Sequence, residues 1–340
     1  MKRENAIKKI GIHFILFIFI TALVITSGVL LSQFGPYKTK YSDNSFDFTS
    51  PVPSEIADNN NIILDQHSHT LFSDGVLTVE QNILWHIAHG FNACIITDHN
   101  TLDNKDVLAQ MAEKYKNEII IIQGMEWTTN RIHMNFLGLN NWSTDDFPIP
   151  SNPTDMEIQT AINEAHEQNA VVTVDHIPWS LYDADMKDHP SRQQLLDWGV
   201  DYIEVINEND FDDYSYEYWC NDTNGFGIIS GTDMHQPDEV WGWTGLNVTE
   251  FTEEAVMEEL RAKYNTTIYY LPEGADDYST GGINIAYRLL EPLILVGEYF
   301  ENFWDDSLDW TAILVFTAYM IGIFAVVEII RIKKDDHENP

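Results

Sequence analysis

The sequence contains only 2 cysteines among 340 residues, Cys94 and Cys220. At most one disulfide is possible, so the fold must depend on an apolar core, which the 44% hydrophobic composition supplies. Cys94 lies in an apolar, strand-like run, and we predict two buried thiols rather than a disulfide. Internal repeats are also lacking, and the length suits one barrel-sized domain with appended segments.

Basic residues are scarce as well. The chain has 18 Lys and Arg against 54 Asp and Glu, a formal net charge of −36. Such a surface repels polyanions, and binding to a phosphate backbone depends on Lys and Arg. A nucleic acid polymer is therefore excluded as an expected partner, and we attribute the acidity to solubility rather than to a specific cationic ligand.

Two long apolar runs lie near the ends of the chain, at residues 10–31 and 311–330. Each is close to the roughly 20 residues that a helix needs to cross a bilayer. The first exceeds the roughly 7 to 15 residues of a signal-peptide core and has no clear A-x-A cleavage site, which favours a retained anchor. The second holds no charge from Thr311 to Val327, which favours a span over a buried core helix.

Lys and Arg precede the first run and follow the second, and such residues mark the cytoplasmic ends of membrane helices. We therefore predict a two-pass protein of the cell membrane with both termini cytoplasmic and the domain between the two runs extracellular. The predicted layout is cytoplasmic tails at 1–9 and 331–340, a linker at 35–61, the external domain at 62–271 and a juxtamembrane segment at 272–310. That last segment either lies along the membrane interface or packs on the external domain.

From Ile62 onward, short β-branched runs alternate with helical patterns, which is typical of an α/β fold whose βα units close into a barrel. The predicted strands are Ile62–His67, Ala93–Asp98, Glu118–Gln123, Ile132–Leu139, Val171–Val174, Tyr202–Ile206, Gly227–Ser230 and a later Thr267–Leu271. The predicted helices are Thr78–His89, Lys105–Tyr115, Asp155–Gln168, Arg192–Trp198, Tyr214–Trp219 and Thr252–Tyr264.

Histidines and acidic residues recur where these strands end, which is where barrel enzymes place their chemistry. His67 and His69 alternate by two on an extended chain, so both imidazoles face the same side and reach one ion. A carboxylate such as Glu126 has two oxygens and is able to bridge a pair of cations. The candidate ligands are His67, His69, Asp74, His99, Glu126, His133, His176, Asp233 and His235. We assign His86, His89, His166 and His189 to packing, and His13 to the first anchor.

The order of these motifs resembles that of the PHP (polymerase and histidinol phosphatase) family over roughly residues 62–271. The matching motifs are H-x-H-T with SDG, TDHN, G-x-E, IH-x-x-x-LG, DH-x-P and GTDMH. The resemblance implies a distorted (β/α)7 barrel, here flanked by the two transmembrane helices. It also implies two or three divalent metal ions, usually zinc, manganese or iron, and hydrolysis of phosphate esters.

The resemblance further implies how the ligands divide. His67, His69, Glu126 and Asp233 would bind a first ion; Asp74, His99 and His235 would bind a second; Glu126, His133 and His176 would bind a third. Asp74 stands where some members have His, which makes the second site harder and favours manganese or iron over zinc.

Further roles follow from chemistry near the motifs. Asp98 is expected to orient an imidazole, because ligating histidines donate their other N–H to a carboxylate. Asp175 does the same or faces solvent. Arg131, Lys105 and Lys187 are the nearby cations that could grip a phosphate, and Arg131, Asp98 and Glu126 are the predicted catalytic residues.

The sequence thus predicts an external metal-dependent phosphoesterase for small phosphate esters. A carboxylester or amide hydrolase using the same metals is the alternative enzyme, and a metal-binding receptor module is the non-catalytic alternative. Both alternatives share the predicted membrane anchors.

The predicted topology is testable with a reporter fused after Pro340. Because basic residues border both apolar runs on the same side, the tag should be protected in intact cells and become accessible after permeabilisation. Labelling of the tag from outside intact cells would refute this topology.

Overall fold

The computed structural model describes residues 2–50, 52–221, 225–263, 265–301 and 310–338. The chain forms two compact units, which we call the helical unit (Met1–Lys40 with Gly282–Pro340) and the barrel unit (Tyr41–Gly281). The helices are α1 (Lys2–Phe34), α2 (Ser54–Ala57), α3 (Val79–Ala88), α4 (Lys105–Tyr115), α5 (Asp155–Glu167), α6 (Ile177–Tyr182), α7 (Arg192–Asp197), α8 (Asp213–Asn221), α9 (Glu253–Ala262), α10 (Ile285–Glu301) and α11 (Trp310–Glu338). The strands are β1 (Thr39–Lys40), β2 (Ile62–Asp65), β3 (Ala93–Ile96), β4 (Ile120–Thr128), β5 (His133–Leu137), β6 (Val171–Val174), β7 (Tyr202–Asn207), β8 (Asp210–Phe211), β9 (Gly227–Gly231), β10 (Val240–Leu246), β11 (Thr267–Ala275) and β12 (Gly282–Ile283).

The barrel unit contains a mixed, nearly closed sheet. Strands β2, β3 and β4 are parallel, as are β6, β7 and β9, whereas β5 is antiparallel to both β4 and β6. Strand β10 pairs antiparallel with β2, and β11 extends that edge. Past the strand ends, the main-chain N–H of Asp233 donates to the His67 carbonyl at 2.8 Å and that of His69 to the Met234 carbonyl at 3.0 Å. These bonds bring the ends of β9 and β2 together.

The predicted α/β barrel is confirmed, and each predicted strand has a counterpart in the sheet. Strand β5 departs from a parallel βα repeat because only four residues separate it from β4, whereas a parallel crossover needs a dozen or more. Strand β10 was not predicted, since Gly242 and Gly245 interrupt its apolar run. Helices α3, α5 and α7 each begin at a capping box, which explains why their predicted starts agree within one residue.

The segment predicted as a linker, residues 35–61, contributes to the barrel core. Phe46 and Ile56 are buried in a cluster with Trp85 and Trp243. The barrel unit therefore begins near Tyr41 and extends through β11, beyond the predicted boundary at residue 271.

The cysteines have different environments. Cys94 is buried in β3, where burial raises the pKa of its thiol. Cys220 is exposed on α8, so the prediction of two buried thiols is wrong for Cys220. Its helix turns Cys220 outward while neighbouring aromatic side chains pack inward, which the short apolar pattern of that helix did not reveal.

The helical unit contains two helices that are long and apolar enough to cross a membrane, Lys8–Phe34 and Ile313–Lys334. Helix α1 has 33 residues, a length of about 50 Å against a hydrocarbon thickness of about 30 Å. The Phe324 ring lies 5.2 Å from that of Phe14 and 5.3 Å from that of Phe17. Helices α1 and α11 therefore pack together.

Helix α10, from the predicted juxtamembrane segment, packs closely on α1. A Cβ placed on Gly28 would lie 2.7 Å from the Leu293 carbonyl oxygen and 2.8 Å from the Gly297 nitrogen. Only residues without side chains permit the two backbones to approach so closely. The last part of the predicted segment, residues 302–309, lies outside the described residues.

We expect Gly28→Leu to separate α1 from α10, because the added side chain meets backbone that has no room to move. Overpacking of this kind destabilises by about 1–3 kcal/mol or more. Thermal unfolding of the full chain in detergent, followed by helical circular dichroism, should shift to lower temperature. Gly11→Leu on the same helix is the matched control, since nothing lies within 4 Å of its Cβ position. Equal melting of the two variants would contradict the close packing.

Candidate metal centre

The nine candidate ligands gather at one end of the barrel unit. Each of them shares at least one group with other ligands whose donor atoms all lie within 4.8 Å of one another. Most of them come from just past the ends of β2, β3, β6 and β9, from β4 itself and from the first residue of β5, whereas Asp74 comes from the loop between β2 and α3. The members are His67, His69, Asp74, His99, Glu126, His133, His176, Asp233 and His235.

The innermost group surrounds the two histidines that follow β2. His67 Nε2 and His69 Nε2 lie 3.1 Å apart, and both are fully buried. Glu126 Oε2 is 3.4 Å and 3.3 Å from them, and Asp233 Oδ1 is 3.2 Å and 3.0 Å from them. Four potential ligand atoms therefore converge on one point.

The second oxygen of Glu126 faces a different pair of imidazoles. Glu126 Oε1 is 2.7 Å from His133 Nδ1 and 3.5 Å from His176 Nε2. The carboxylate is fully buried in the middle of the site. Its two oxygens thus address two separate groups of histidines.

A third group lies towards the surface. Asp74 Oδ1 is 3.5 Å from His99 Nε2 and 3.3 Å from His235 Nε2. The rings of His99 and His235 stack on His69 with centroids 4.4 Å and 4.1 Å apart. This group is more exposed than the first two, since 57% of the Asp74 side chain is accessible.

The hydrogen bonds of the site fit bound cations. His235 Nδ1 lies 2.8 Å from the Asp233 carbonyl, and His67 Nδ1 lies 3.1 Å from Glu204 Oε1. Both partners only accept, so each Nδ1 must donate and each Nε2 is available as a ligand. The His67 Nε2 atom then faces His69 Nε2 and two carboxylates, a set of acceptors that a metal ion would satisfy. Among the described residues, the buried His69 Nδ1 also has no hydrogen-bond partner.

Without a metal, protons must take the place of the cations. Burial opposes a charged His99, but the carboxylates of Glu126 and Asp74 raise its pKa to about 10. Burial likewise opposes a charged His235, and Asp74 with Asp233 raises its pKa to about 9. The same carboxylates that hold these protons would hold divalent ions in their place.

The site opens into a cavity of about 270 Å³, which we call the metal cavity. None of the described residues that line it is Lys or Arg. The lining residues are Asp74, His99, His133, His176, Trp179, Asn207, Glu208, Asp233 and His235.

A profile described as the PHP domain matches residues 65–235, half of the chain. The chain belongs to the PHP domain family. Its six motifs all lie within the matched region, in the order predicted from the sequence. Family membership and the clustered ligand atoms together make the chain a metal-dependent hydrolase.

A solved structure with the same fold is a two-domain protein from Bacteroides vulgatus containing a predicted PHP-like metal-dependent phosphoesterase. It has 22% identity, coverage of 65% of this chain and 68% of the other, and a TM-score of 0.51. Weaker similarity is found to a putative metal-dependent phosphoesterase from Bifidobacterium adolescentis (16% identity, coverage 59% and 96%, TM-score 0.41) and to an amidohydrolase from Chromobacterium violaceum (14% identity, coverage 61% and 97%, TM-score 0.38). A search of curated proteins found no match.

Asp65, the last residue of β2, holds two ligand pairs of the PHP domain side by side. These are His67 with His69, and Asp233 with His235. Asp65 accepts hydrogen bonds from the Thr232 hydroxyl at 2.5 Å and the Thr232 N–H at 3.0 Å. His86 Nε2 lies 2.8 Å from the same carboxylate, and His86 Nδ1 lies 2.8 Å from the Asn82 carbonyl. Both nitrogens of His86 face acceptors, so His86 is a structural residue, as predicted.

Asp98 differs from its predicted role. Its carboxylate accepts hydrogen bonds from the Thr70 N–H and hydroxyl at 2.7 and 2.8 Å, the Ser73 hydroxyl at 2.8 Å and the Asn104 amide at 2.6 Å. No described hydrogen bond joins Asp98 to an imidazole. Asp98 instead fixes the loop that carries Asp74.

Arg131 also differs from its prediction as a catalytic residue that grips phosphate. Its guanidinium donates to two backbone carbonyls and to the Asp155 carboxylate. Lys105 and Lys187 are likewise bonded to a carbonyl and a carboxylate elsewhere. None of the three lines the metal cavity, because local acceptors outside the site bind each of them.

Glu204 is the carboxylate that sequence reasoning missed. It lies within β7 and accepts hydrogen bonds at Oε1 from Gln66 (2.7 Å) and His67 (3.1 Å), and at Oε2 from the His176 N–H (3.0 Å) and Asn207 (2.8 Å). The signal in the sequence was a charged residue inside an otherwise apolar strand, because such a residue needs polar partners when it is buried.

Two neighbours complete the surroundings of Glu204. A Cβ on Gly231 would lie 2.0 Å from Glu204 Oε1 and 2.6 Å from the His67 Cβ, so only glycine permits this approach. Asp175 is fully buried rather than facing solvent, and burial raises its pKa well above the usual value. Its Oδ1 accepts a hydrogen bond from Asn135 at 3.1 Å.

Glu204→Gln should weaken metal binding by about 10- to 100-fold, the usual effect of removing a carboxylate that orients a ligating histidine. The NH₂ group of the new amide would face at least one N–H group from which Glu204 now accepts a hydrogen bond. His67 would therefore lose its fixed orientation. Metal titration of the full chain in detergent measures the affinity. Glu258→Gln, an exposed change on α9, is the control. Unchanged affinity in the Glu204 variant would show that this carboxylate does not position His67.

Proposed function

We propose that the protein hydrolyses small phosphate esters with two or three divalent ions, zinc, manganese or iron. The observation that carries this proposal is the position of Glu126, whose two oxygens face different groups of histidines. His67, His69 and Asp233 would complete a first site with Glu126, and His133 with His176 would complete another. Asp74, His99 and His235 would form the outer site.

When bound, such ions lower the pKa of a coordinated water to about 7 and polarise the ester oxygen under attack. The protein residues prepare the site for that chemistry. Glu126 would supply negative charge that offsets the mutual repulsion of the ions, which is severe even at an effective dielectric of about 20. Glu204 and Asp65 keep the imidazoles fixed, so that little reorganisation accompanies the reaction.

The size and lining of the metal cavity favour a small phosphate as the group that reacts. Its volume of about 270 Å³ admits a phosphoryl group, and its described lining has no Lys or Arg. An anionic phosphate would therefore depend on the bound ions for charge compensation. The chain's net charge of −36 also disfavours a polyanionic substrate.

A carboxylester or amide substrate is the second candidate, because the absence of Lys and Arg from the described lining suits an uncharged group. The same bound ions would polarise a carbonyl oxygen. The first candidate would hydrolyse phosphate esters fastest, whereas the second would hydrolyse carboxylesters or amides fastest.

We also propose that the barrel unit is extracellular and that both termini are cytoplasmic. Two helices of sufficient length and hydrophobicity support two membrane passes, and the flanking Lys and Arg support the orientation. The proposed layout keeps spans near residues 10–31 and 311–330 and places the catalytic domain between them.

A substrate panel separates the candidates. The full chain in detergent would be loaded with manganese, zinc or iron, and its metal content would be measured by elemental analysis. The loaded protein would then be assayed on phosphate esters, carboxylesters and amides. We expect at least two ions per chain and fastest hydrolysis of phosphomonoesters. Fewer than one ion per chain, or hydrolysis of carboxylesters alone, would overturn the proposal.

Glu126→Gln is the sharpest test of the site. The substitution keeps the size of the side chain but removes its charge, so one ion should be lost or displaced and turnover should fall by orders of magnitude. The fold should persist, because the strands are held by apolar packing. Glu113→Gln, which alters only an exposed ion pair with Lys116, should behave like the unmodified protein. Full metal content with near-normal turnover in the Glu126 variant would remove the bridging role.

A further inference from the structure

A second cavity adjoins the metal cavity. It has a volume of about 460 Å³, and we call it the side cavity. The two cavities share His133 and Trp179 in their linings. A molecule whose phosphate lies among the metal ligands therefore has an adjacent space for the rest of its structure.

The side cavity differs from the metal cavity in its chemistry. The described residues that line it include no Asp, Glu, Lys or Arg. Its polar lining consists of hydroxyl and amide side chains, together with His133, and its apolar lining includes Ile149, Pro150 and Met186. An ionised group placed there would lose hydration without gaining a charged partner, which is costly.

Trp179 gives the side cavity an aromatic wall. Its ring lies 4.9 Å from that of His176 and 5.6 Å from that of His133, while 40% of the residue remains exposed. The left-handed backbone of His176, with φ of 28°, turns the chain sharply between this histidine and helix α6. The same turn that points His176 into the site thus places Trp179 at its edge, and strain of this kind occurs at functional sites.

Polar groups also line the side cavity. The Asn130 N–H donates to the Ser151 carbonyl at 2.7 Å, which joins two loops of the lining. The side chains of Asn130 and Ser151 have no hydrogen-bond partner among the described residues. The side chains of Asn100, Thr128 and Thr129, by contrast, already form hydrogen bonds within the protein.

We propose that the side cavity binds the alcohol portion of the substrate and selects an uncharged group with a flat apolar face and hydroxyls. The flat face would pack on Trp179, and the hydroxyls would bond to Asn130 and Ser151. This inference rests on the proposed phosphoesterase function. In that reaction water attacks phosphorus, the P–O bond to the alcohol breaks, and the departing oxygen takes up a proton to give the free alcohol.

Two substrates of similar size that differ in charge test the selection. The full chain in detergent, loaded with manganese, would be assayed on 4-(hydroxymethyl)phenyl phosphate and 4-carboxyphenyl phosphate. We expect kcat/KM to favour the uncharged substrate by about tenfold or more, since the carboxylate has no partner in the side cavity. Trp179→Ala should lower the ratio of kcat/KM for the uncharged aryl substrate to that for methyl phosphate by about tenfold.

A charge added to the lining should change the preference. Ser151→Lys should raise kcat/KM for the carboxylated substrate relative to its uncharged partner by about tenfold. Asn152→Lys is the matched control, because it adds the same charge at the next residue, which is exposed and does not line the cavity. Equal effects of the two lysines, or no preference in the unmodified protein, would overturn the inference.

A binding measurement separates this inference from the proposed function. Saturation-transfer NMR of 4-hydroxybenzyl alcohol with the full chain requires no turnover, and Trp179→Ala should reduce the signal severalfold. Loss of all phosphatase activity with this binding intact would refute the phosphoesterase and leave the side cavity supported. Phosphatase activity without such binding would refute the side cavity and leave the phosphoesterase supported.

Discussion

A fully buried carboxylate among imidazoles is the constraint on which the rest of the site depends. Burial disfavours the charge of Glu126, yet the surrounding histidines hold its pKa well below the usual value. A buried charge is tolerated only with partners of opposite sign. The barrel must therefore keep cations or protonated histidines on both sides of Glu126, and this requirement links every strand end that contributes a ligand.

Two further carboxylates hold that arrangement in place. Asp65 joins the ends of β2 and β9. Glu204, which lies in β7, accepts hydrogen bonds from the His67 ring and from the His176 backbone. Each accepts hydrogen bonds from several directions. Their contribution is the orientation of the ligands, and Gly231 leaves the space that this close packing requires.

The two cavities beside the ligands differ in the charge of their linings. Negative groups and histidines line the metal cavity, whereas neutral side chains line the described part of the side cavity. Strongly basic side chains near the site, such as Arg131, are bound to acceptors elsewhere. In the proposed reaction, recognition of the phosphate would depend on the bound ions, and recognition of the remainder would depend on shape, hydroxyls and the face of Trp179.

Local patterns in the sequence determined the apolar helices, the strand-and-helix alternation and the candidate ligands, because each depends on a few neighbouring residues. Fully buried runs such as β2, β3 and β6 are recognisable without knowledge of their partners. Only the tertiary structure decided the antiparallel course of β5, the packing of α10 on α1, and the roles of Glu204, Asp98 and Arg131. Those features depend on contacts between residues far apart in the chain, such as the 137 positions that separate His67 from Glu204, and local periodicity carries no record of them.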